Sequence, residues 1–257
     1  ALLAAYKPDL IYHLAAVTNV GYSWMHPDQT FQVNLVGSAV LLEAITRHVP
    51  NARVVLVSTA ELYGQDPKGI VVGGLSVNSP YSLSKFAMEL LGGIYARSRG
   101  LRLLRVRPFN FTGPGQNPRF VSSDFARQVA RIEAGRQEPE IRVGNLAAVR
   151  DFSDVRDIAR YLEHLALHPA VLWDGETVVD LCSGTAIPME EILKTLLRLS
   201  TCPIRVVVDT ERYRPADTPV LKGDPAYLQD RLGLRPEFSL EMTLGDLLEE
   251  ARRAEGL

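Results

Sequence analysis

The sequence predicts an α/β fold: a Rossmann-like, doubly wound parallel sheet followed by a smaller α+β region. Short apolar runs alternate with stretches of helical spacing over the first part of the chain, the pattern of strand–helix–strand units. Segments rich in hydroxyls, glycine and small residues follow those runs directly, at the strand ends where open α/β sheets bind ligands. Behind one such segment, Ser79-Pro80-Tyr81-Ser82-Leu83-Ser84-Lys85 opens a helix with two chemically useful side chains in its first turns.

Taken in order, Ala1 to Tyr6 reads as the tail of a helix. Residues 8–16 read as a buried parallel strand that leaves through His13-Leu14-Ala15-Ala16. From Asp28 to His48, Phe31, Val33, Leu35, Leu41, Leu42 and Ile45 fall at helical spacing, with Asn34 and Gly37 inside. Val54-Val55-Leu56-Val57 is a buried-strand pattern running into Ser58-Thr59-Ala60-Glu61-Leu62-Tyr63-Gly64. Ser79 can cap the next helix and Pro80 suits its first position, where a missing N–H costs nothing. That helix runs through Met88, Leu91, Ile94 and Tyr95 to Gly100, and Leu103 to Arg107 form the following strand, ending in Pro108-Phe109-Asn110. Beyond Gln116, helices are expected at Phe125–Glu133, up to Leu167 behind a Ser153 or Asp154 cap, at Pro188–Leu199 and at Ser239–Ala254. Strands are expected at Ile141–Val143, Thr177–Leu181 and Arg205–Val208.

Composition narrows the function classes. The net charge is −2 and no basic stripe interleaves with aromatics, which argues against nucleic acid. Two cysteines, Cys182 and Cys202, make neither a disulfide framework nor a metal site. No apolar run is long enough to span a bilayer and no charged-then-apolar leader opens the chain, so the expectation is a cytoplasmic protein without membrane contact.

Tyr81 and Lys85 are four residues apart, on one helix face. An ammonium beside a phenol favours the phenolate, so the spacing predicts a lowered Tyr81 pKa and a proton donor or acceptor at neutral pH. A surface tyrosine and a solvated lysine would give the same spacing. It arises only once among nine tyrosines and five lysines, and that once lies behind a Ser-Pro helix start.

With these marks assembled, the chain resembles the extended short-chain dehydrogenase/reductases of the NAD-dependent epimerase/dehydratase family. The resemblance rests on His13-Leu14-Ala15-Ala16, Ser58 to Gly64, Tyr81-xxx-Lys85, Arg107-Pro108-Phe109-Asn110 and Arg150-Asp151-Phe152-xx-Val155-xx-Asp157. Gly113-Pro114-Gly115-Gln116, Asp124 to Gln128, the stretch from Val143 to Phe152 and Arg214 to Pro219 are most similar to GDP-4-keto-6-deoxy-D-mannose reductases. GDP-mannose 4,6-dehydratases come next. The resemblance implies a cofactor domain at residues 1–115, regaining segments near 145–185, and a mainly nucleotide-sugar domain at 116–257. It implies catalysis by Thr59, Tyr81, Lys85 and Glu61, and NADP(H) or NAD(H) held by Leu14, Ala15, Ala16, Ser58, Tyr81, Lys85 and Pro108. A GDP-sugar would be contacted by Thr18, Asn110, Arg150 and Arg214. As alternatives, Arg150 and Arg214 could be ordinary surface charges and Glu61 a solvated or capping carboxylate.

The reaction implied is NAD(P)H-dependent reduction of a GDP-4-keto-6-deoxy-hexose, with a GDP-rhamnose-type product. The alternative is 4,6-dehydration with Glu61 as acid/base. The family's opening Gly-rich βαβ unit, which seats the cofactor pyrophosphate, has no counterpart here. That leaves a redox-dead nucleotide-sugar binder, or a fragment, as a further alternative. Pairing of the Tyr81 helix and the long helix before it with their copies implies a homodimer, with Met88, Leu91, Ile94 and Tyr95 as its apolar surface.

Overall fold

The structure is a computed structural model that describes residues 2–64, 70–209 and 218–257. In chain order, its first elements are α1 (Leu2–Tyr6), β1 (Leu10–His13), α2 (Val20–Met25), α3 (Pro27–Phe31), a π-helical stretch (Gln32–Val36) and α4 (Gly37–His48). There follow β2 (Arg53–Val57), a 3-10 turn (Ala60–Tyr63), β3 (Ile70–Val72), β4 (Leu75–Val77), α5 (Pro80–Arg99), β5 (Arg102–Pro108) and β6 (Asn110–Thr112). Next come α6 (Val121–Glu133), β7 (Glu140–Val143), β8 (Val149–Asp154), α7 (Val155–Leu167), β9 (Asp174–Leu181), β10 (Ala186–Pro188) and α8 (Met189–Leu199). The last are β11 (Arg205–Val208), β12 (Val220–Leu221), a second π-helical stretch (Tyr227–Arg231) and α9 (Leu240–Glu255). Two compact units result.

The first unit comprises Ala1–Pro108, Tyr161–Leu181 and Ala226–Gly233. Its sheet has the order β1-β2-β5-β9, and every pairing in it is parallel. Alternation along the strands divides its core between two faces. Val54, Leu56 and Leu103 pack with Leu42 and Ile45 of α4 and with Met88 and Ala96 of α5. Val55 and Leu104, also fully buried, point the other way. That second face is covered by the C-terminal half of α7, tied to the strands by Tyr12 Oη donating to the Leu162 carbonyl (3.2 Å) and Arg53 to that of Ala166 (2.5 Å). Helices on both faces of a parallel sheet make the doubly wound architecture. The α5 start follows from its sequence: Ser79 and Ser82 form a reciprocal capping box, Pro80 takes the first turn, and Gly100 closes the helix in the left-handed region (φ 69°).

The second unit comprises Phe109–Arg160, Cys182–Pro225 and Leu234–Leu257. Helices α6, α8 and α9 bury Phe125, Val129, Ile192, Leu196, Leu244 and Leu248 against Ile141 and Val143 of β7, and β7 pairs in parallel with β11. In a second sheet, β8 pairs antiparallel with β10 and parallel with β12, and β6 also pairs with it. Cys182 and Cys202 are both free thiols.

Several elements depart from the sequence pattern. The first strand ends at His13, so Leu14 to Asn19 are loop rather than strand exit. The 28–48 helix is interrupted by the π-helical stretch around Asn34. Helix α2, capped by Asn19 Oδ1 accepting from the Tyr22 N–H (2.7 Å), and the polar strands β6 and β8 carry no apolar periodicity that would announce them. No helix among the described residues is long and apolar enough to cross a membrane.

Candidate active site

The site of the first unit gathers at the C-terminal ends of β1 and β2 and on the first turns of α5. After β2 the chain leaves through Ser58 and Thr59, the latter extended (φ −156°, ψ 144°) as the cap of the 3-10 turn. Thr59 Oγ1 accepts the Glu61 N–H at 3.2 Å and faces the Tyr81 hydroxyl, where it acts to lower the phenol's pKa. Accepting that N–H uses one lone pair and leaves the Thr59 O–H able to donate to the phenolic oxygen. Tyr81 is buried. Its backbone N–H is held by Ser23 Oγ (3.2 Å), so α2 positions the turn that carries it.

The Tyr81 phenol is therefore not what the spacing predicted. Burial pushes its pKa up to about 12; the Thr59 hydrogen bond pulls the other way, and the Glu61 charge adds to the rise. Lys85 lies one turn on and buried, and its Nζ donates to the Val57 carbonyl at 2.7 Å instead of sitting against the phenol. Desolvation brings Lys85 down to about 8, opposed by the charge of Glu89. At neutral pH the two groups are thus a protonated phenol and a protonated ammonium on successive turns of α5.

His13, at the end of β1, places Nε2 2.7 Å from Ser38 Oγ. Ser38 gives its own proton to the Asn34 carbonyl at 2.6 Å, so Nε2 is the donor in the His13 contact. Burial first and Lys85 second lower the His13 pKa, leaving a neutral ring. The Asn34 side chain, fully buried, accepts the Val17 N–H (2.7 Å) and donates to the Val17 carbonyl and Ser84 Oγ (2.9 Å each). It thereby fixes the loop after β1 to the Tyr81–Lys85 turn. An Asn within an apolar helical stretch is the signal that marks it in the sequence.

Other predicted residues fall out as follows. Leu14, Ala15 and Thr18 are exposed on the loop after β1 and Ala16 is half-buried. Ser58 is buried, and its Oγ has no hydrogen-bond partner. Pro108 closes β5 opposite Leu181 of β9. Glu61 is half-buried in the 3-10 turn. In the second unit, Asn110 is exposed at the start of β6, and half-buried Arg150 on β8 donates to the Val149 carbonyl (2.9 Å). Arg214 lies outside the described residues. An orphaned Ser58 hydroxyl, a lysine with N–H groups left over after its bond to Val57, and a small-residue loop at the same sheet edge fit the ribose and amide of a nicotinamide cofactor.

A family model described as GDP-mannose 4,6 dehydratase matches residues 1–247. The chain belongs to the GDP-mannose 4,6 dehydratase family. Among that family's relatives, GDP-6-deoxy-D-mannose reductase of Pseudomonas aeruginosa is 32% identical over 253 residues, covering 95% of this chain and 80% of that one. GDP-6-deoxy-D-talose 4-dehydrogenase of Aggregatibacter actinomycetemcomitans is 31% identical over 236 residues, covering 91% and 76%. Among solved structures, RMD from Pseudomonas aeruginosa complexed with NADPH superposes with a TM-score of 0.87 at 31% identity. It covers 97% of this chain and 83% of that one.

Proposed function

We propose that this family member reduces the 4-keto group of a GDP-4-keto-6-deoxy-hexose, using a nicotinamide cofactor and giving a GDP-rhamnose-type product. The observation that carries the reading is Tyr81, a buried phenol that burial holds protonated beside the Thr59 hydroxyl. Ketone reduction needs a proton delivered to the carbonyl oxygen as negative charge develops there, and a protonated phenol in hydrogen-bond reach does that. When bound, the reduced nicotinamide supplies the hydride. Tyr81 supplies the proton to the C4 oxygen, and the Thr59 hydroxyl, oriented by the Glu61 N–H, steadies that oxygen. The Lys85 ammonium, fixed by the Val57 carbonyl, binds the ribose and favours the phenolate as the proton leaves. Leu14, Ala15, Ala16, Ser58 and Pro108 complete the cofactor side. Asn110 and Arg150 of the second unit, together with Arg214, are the proposed nucleotide-sugar contacts, guanidinium forks being suited to a pyrophosphate.

Support comes from similarity to a GDP-6-deoxy-D-mannose reductase and a GDP-6-deoxy-D-talose 4-dehydrogenase. The test is oxidation of NADPH in the presence of GDP-4-keto-6-deoxy-mannose. Tyr81→Phe is expected to cut turnover by about 100-fold or more. A wild-type protein silent with the keto sugar but converting GDP-mannose to it would overturn the reading in favour of dehydration, with Glu61 as the acid/base.

The same reading includes a homodimer, on a face that keeps Ile94 but not Met88, Leu91 or Tyr95 of the surface the sequence suggested. Met88 is buried, and Leu91 and Tyr95 pack against the sheet core. The apolar residues that α5 leaves exposed are Leu83, Leu90 and Ile94. Val33, Val36 and Val40 lie exposed on the neighbouring π-helical stretch and α4. The mass in solution tests it. We also place the protein in the cytoplasm, in keeping with its free thiols, which cell fractionation would check.

A further inference from the structure

Besides Tyr81 and Lys85, helix α5 carries a third buried ionisable residue, one that the reaction as described does not use. Glu89 is 1% exposed and stands four residues after Lys85, on the same helix face. Both of its oxygens are held by one guanidinium, Arg107 Nε at 2.9 Å and Nη2 at 2.7 Å, and Arg105 Nη1 approaches to 3.8 Å. Arg107 is itself buried on β5. It lies 4.8 Å over the Tyr63 ring, and the Tyr63 hydroxyl donates to Asp180 Oδ1 on β9 at 2.8 Å. The chain of contacts therefore links the Lys85 helix, the central strands and the far end of the Ser58–Gly64 segment.

A buried bidentate pair could be only a staple between α5 and β5. Its placement argues for more. Lys85 is taken out of water with one carbonyl, that of Val57, as its hydrogen-bond partner among the described residues. The groups around it offer little charge compensation. His13 from β1 is neutral and Tyr81 on α5 is protonated. Glu61, beyond β2, acts on Tyr81. Arg105 and Arg107 on β5 carry the same sign as Lys85 and are engaged with Glu89. Among the described residues, the carboxylate that favours the Lys85 ammonium is Glu89. Its orientation is locked, because Arg107 occupies both of its oxygens.

We propose that Glu89 is a positioning residue, whose buried carboxylate, fixed by Arg107, keeps Lys85 charged and placed for its role at the cofactor and Tyr81. The inference rests on the role assigned to Lys85 under the proposed function, and its test is independent of turnover. The chain has only five lysines, so the ε-carbons can be labelled and followed by NMR through a pH titration, with Lys85→Met identifying the signal. In the wild type, Lys85 is expected to titrate near 8. In Glu89→Gln the midpoint should fall by about one pH unit or more, as expected on loss of an opposite charge at close range. Because that variant leaves Arg107 buried and unpaired, Glu89→Gln/Arg107→Gln is measured beside it. A smaller downward shift is expected there, because the like charge of Arg107 leaves with the carboxylate while Glu89, one helical turn from Lys85, is the nearer of the two groups along α5. The double variant alone decides if the single one fails to fold. The alkaline limb of the pH–rate profile should move with the NMR midpoint. A Lys85 midpoint unchanged in the double variant would overturn the proposal and leave Glu89 as a staple, without touching the assignment of the reaction.

Discussion

At the scale of single residues, burial competes with pairing, and the outcome differs from site to site. For Tyr81 desolvation wins and the phenol stays protonated. For Glu133 in the second unit pairing wins. Arg252 donates from Nε and Nη2 to its two oxygens, both at 2.7 Å, and the Thr201 N–H adds a third bond. The Arg252 bonds, ahead of the opposing effect of burial, hold the Glu133 carboxyl at about 2. A carboxylate depressed in the folded state contributes stability that is fully present above its unfolded pKa, near 4.5, and lost as pH falls towards 2. Replacing Glu133 by Gln should therefore cost on the order of 2 kcal/mol at neutral pH, discounted for the partial exposure of Arg252. The gap in urea midpoint between wild type and variant should close between pH 5 and pH 2. A constant gap would mean that packing, not charge, accounts for the loss. Thr59, Glu61, Tyr81 and Lys85 could be picked out from residue type and spacing. Asn34, Ser38 and Glu89 could not be given partners, because theirs are 4 to 50 residues away.

At the scale of elements, legibility followed hydrophobic periodicity. β2, β5, α5, α8 and β11 were readable because apolar residues recur with a strand or helix period. β8 was not, since Arg150, Asp151 and Asp154 interrupt it. Its Asp151 is fully buried and accepts hydrogen bonds from the Ser183 N–H and hydroxyl, the Gly184 N–H and the Gly223 N–H, so a strand with poor propensity is stabilised by satisfied polar groups. Close packing between elements gives a second case. Gly175, at the start of β9, has φ +74°, and a Cβ there would lie 2.2 Å from Ala96 Cβ on α5. Gly135 has a similar φ of +67° with open space around it. Gly175→Ala should cost roughly 2–4 kcal/mol, the sum of overpacking and left-handed strain, and Gly135→Ala about 1 kcal/mol. Equal shifts in denaturant midpoint for the two variants would show that the α5–β9 contact can relax.

At the scale of the whole molecule, the exposed stripes on α5 and α4 are the feature that a lone subunit leaves unexplained. Leu90→Glu with Ile94→Glu should convert a dimer to a monomer in light scattering at micromolar protein, with the fold retained. Leu91→Glu should instead unfold the first unit, because Leu91 packs against its core. A monomeric wild type would overturn the assembly. Sequence alone determined the α/β class, the parallel strands, the capped helix bearing Tyr81 and Lys85, and the family, because periodicity, caps and short motifs are local. Only the tertiary structure decided that burial keeps the Tyr81 phenol protonated rather than a ready phenolate, that Lys85 leans on Val57, and which α5 residues face outward. Desolvation and side-chain partners depend on what distant segments bring into contact, and spacing along the chain carries no record of that.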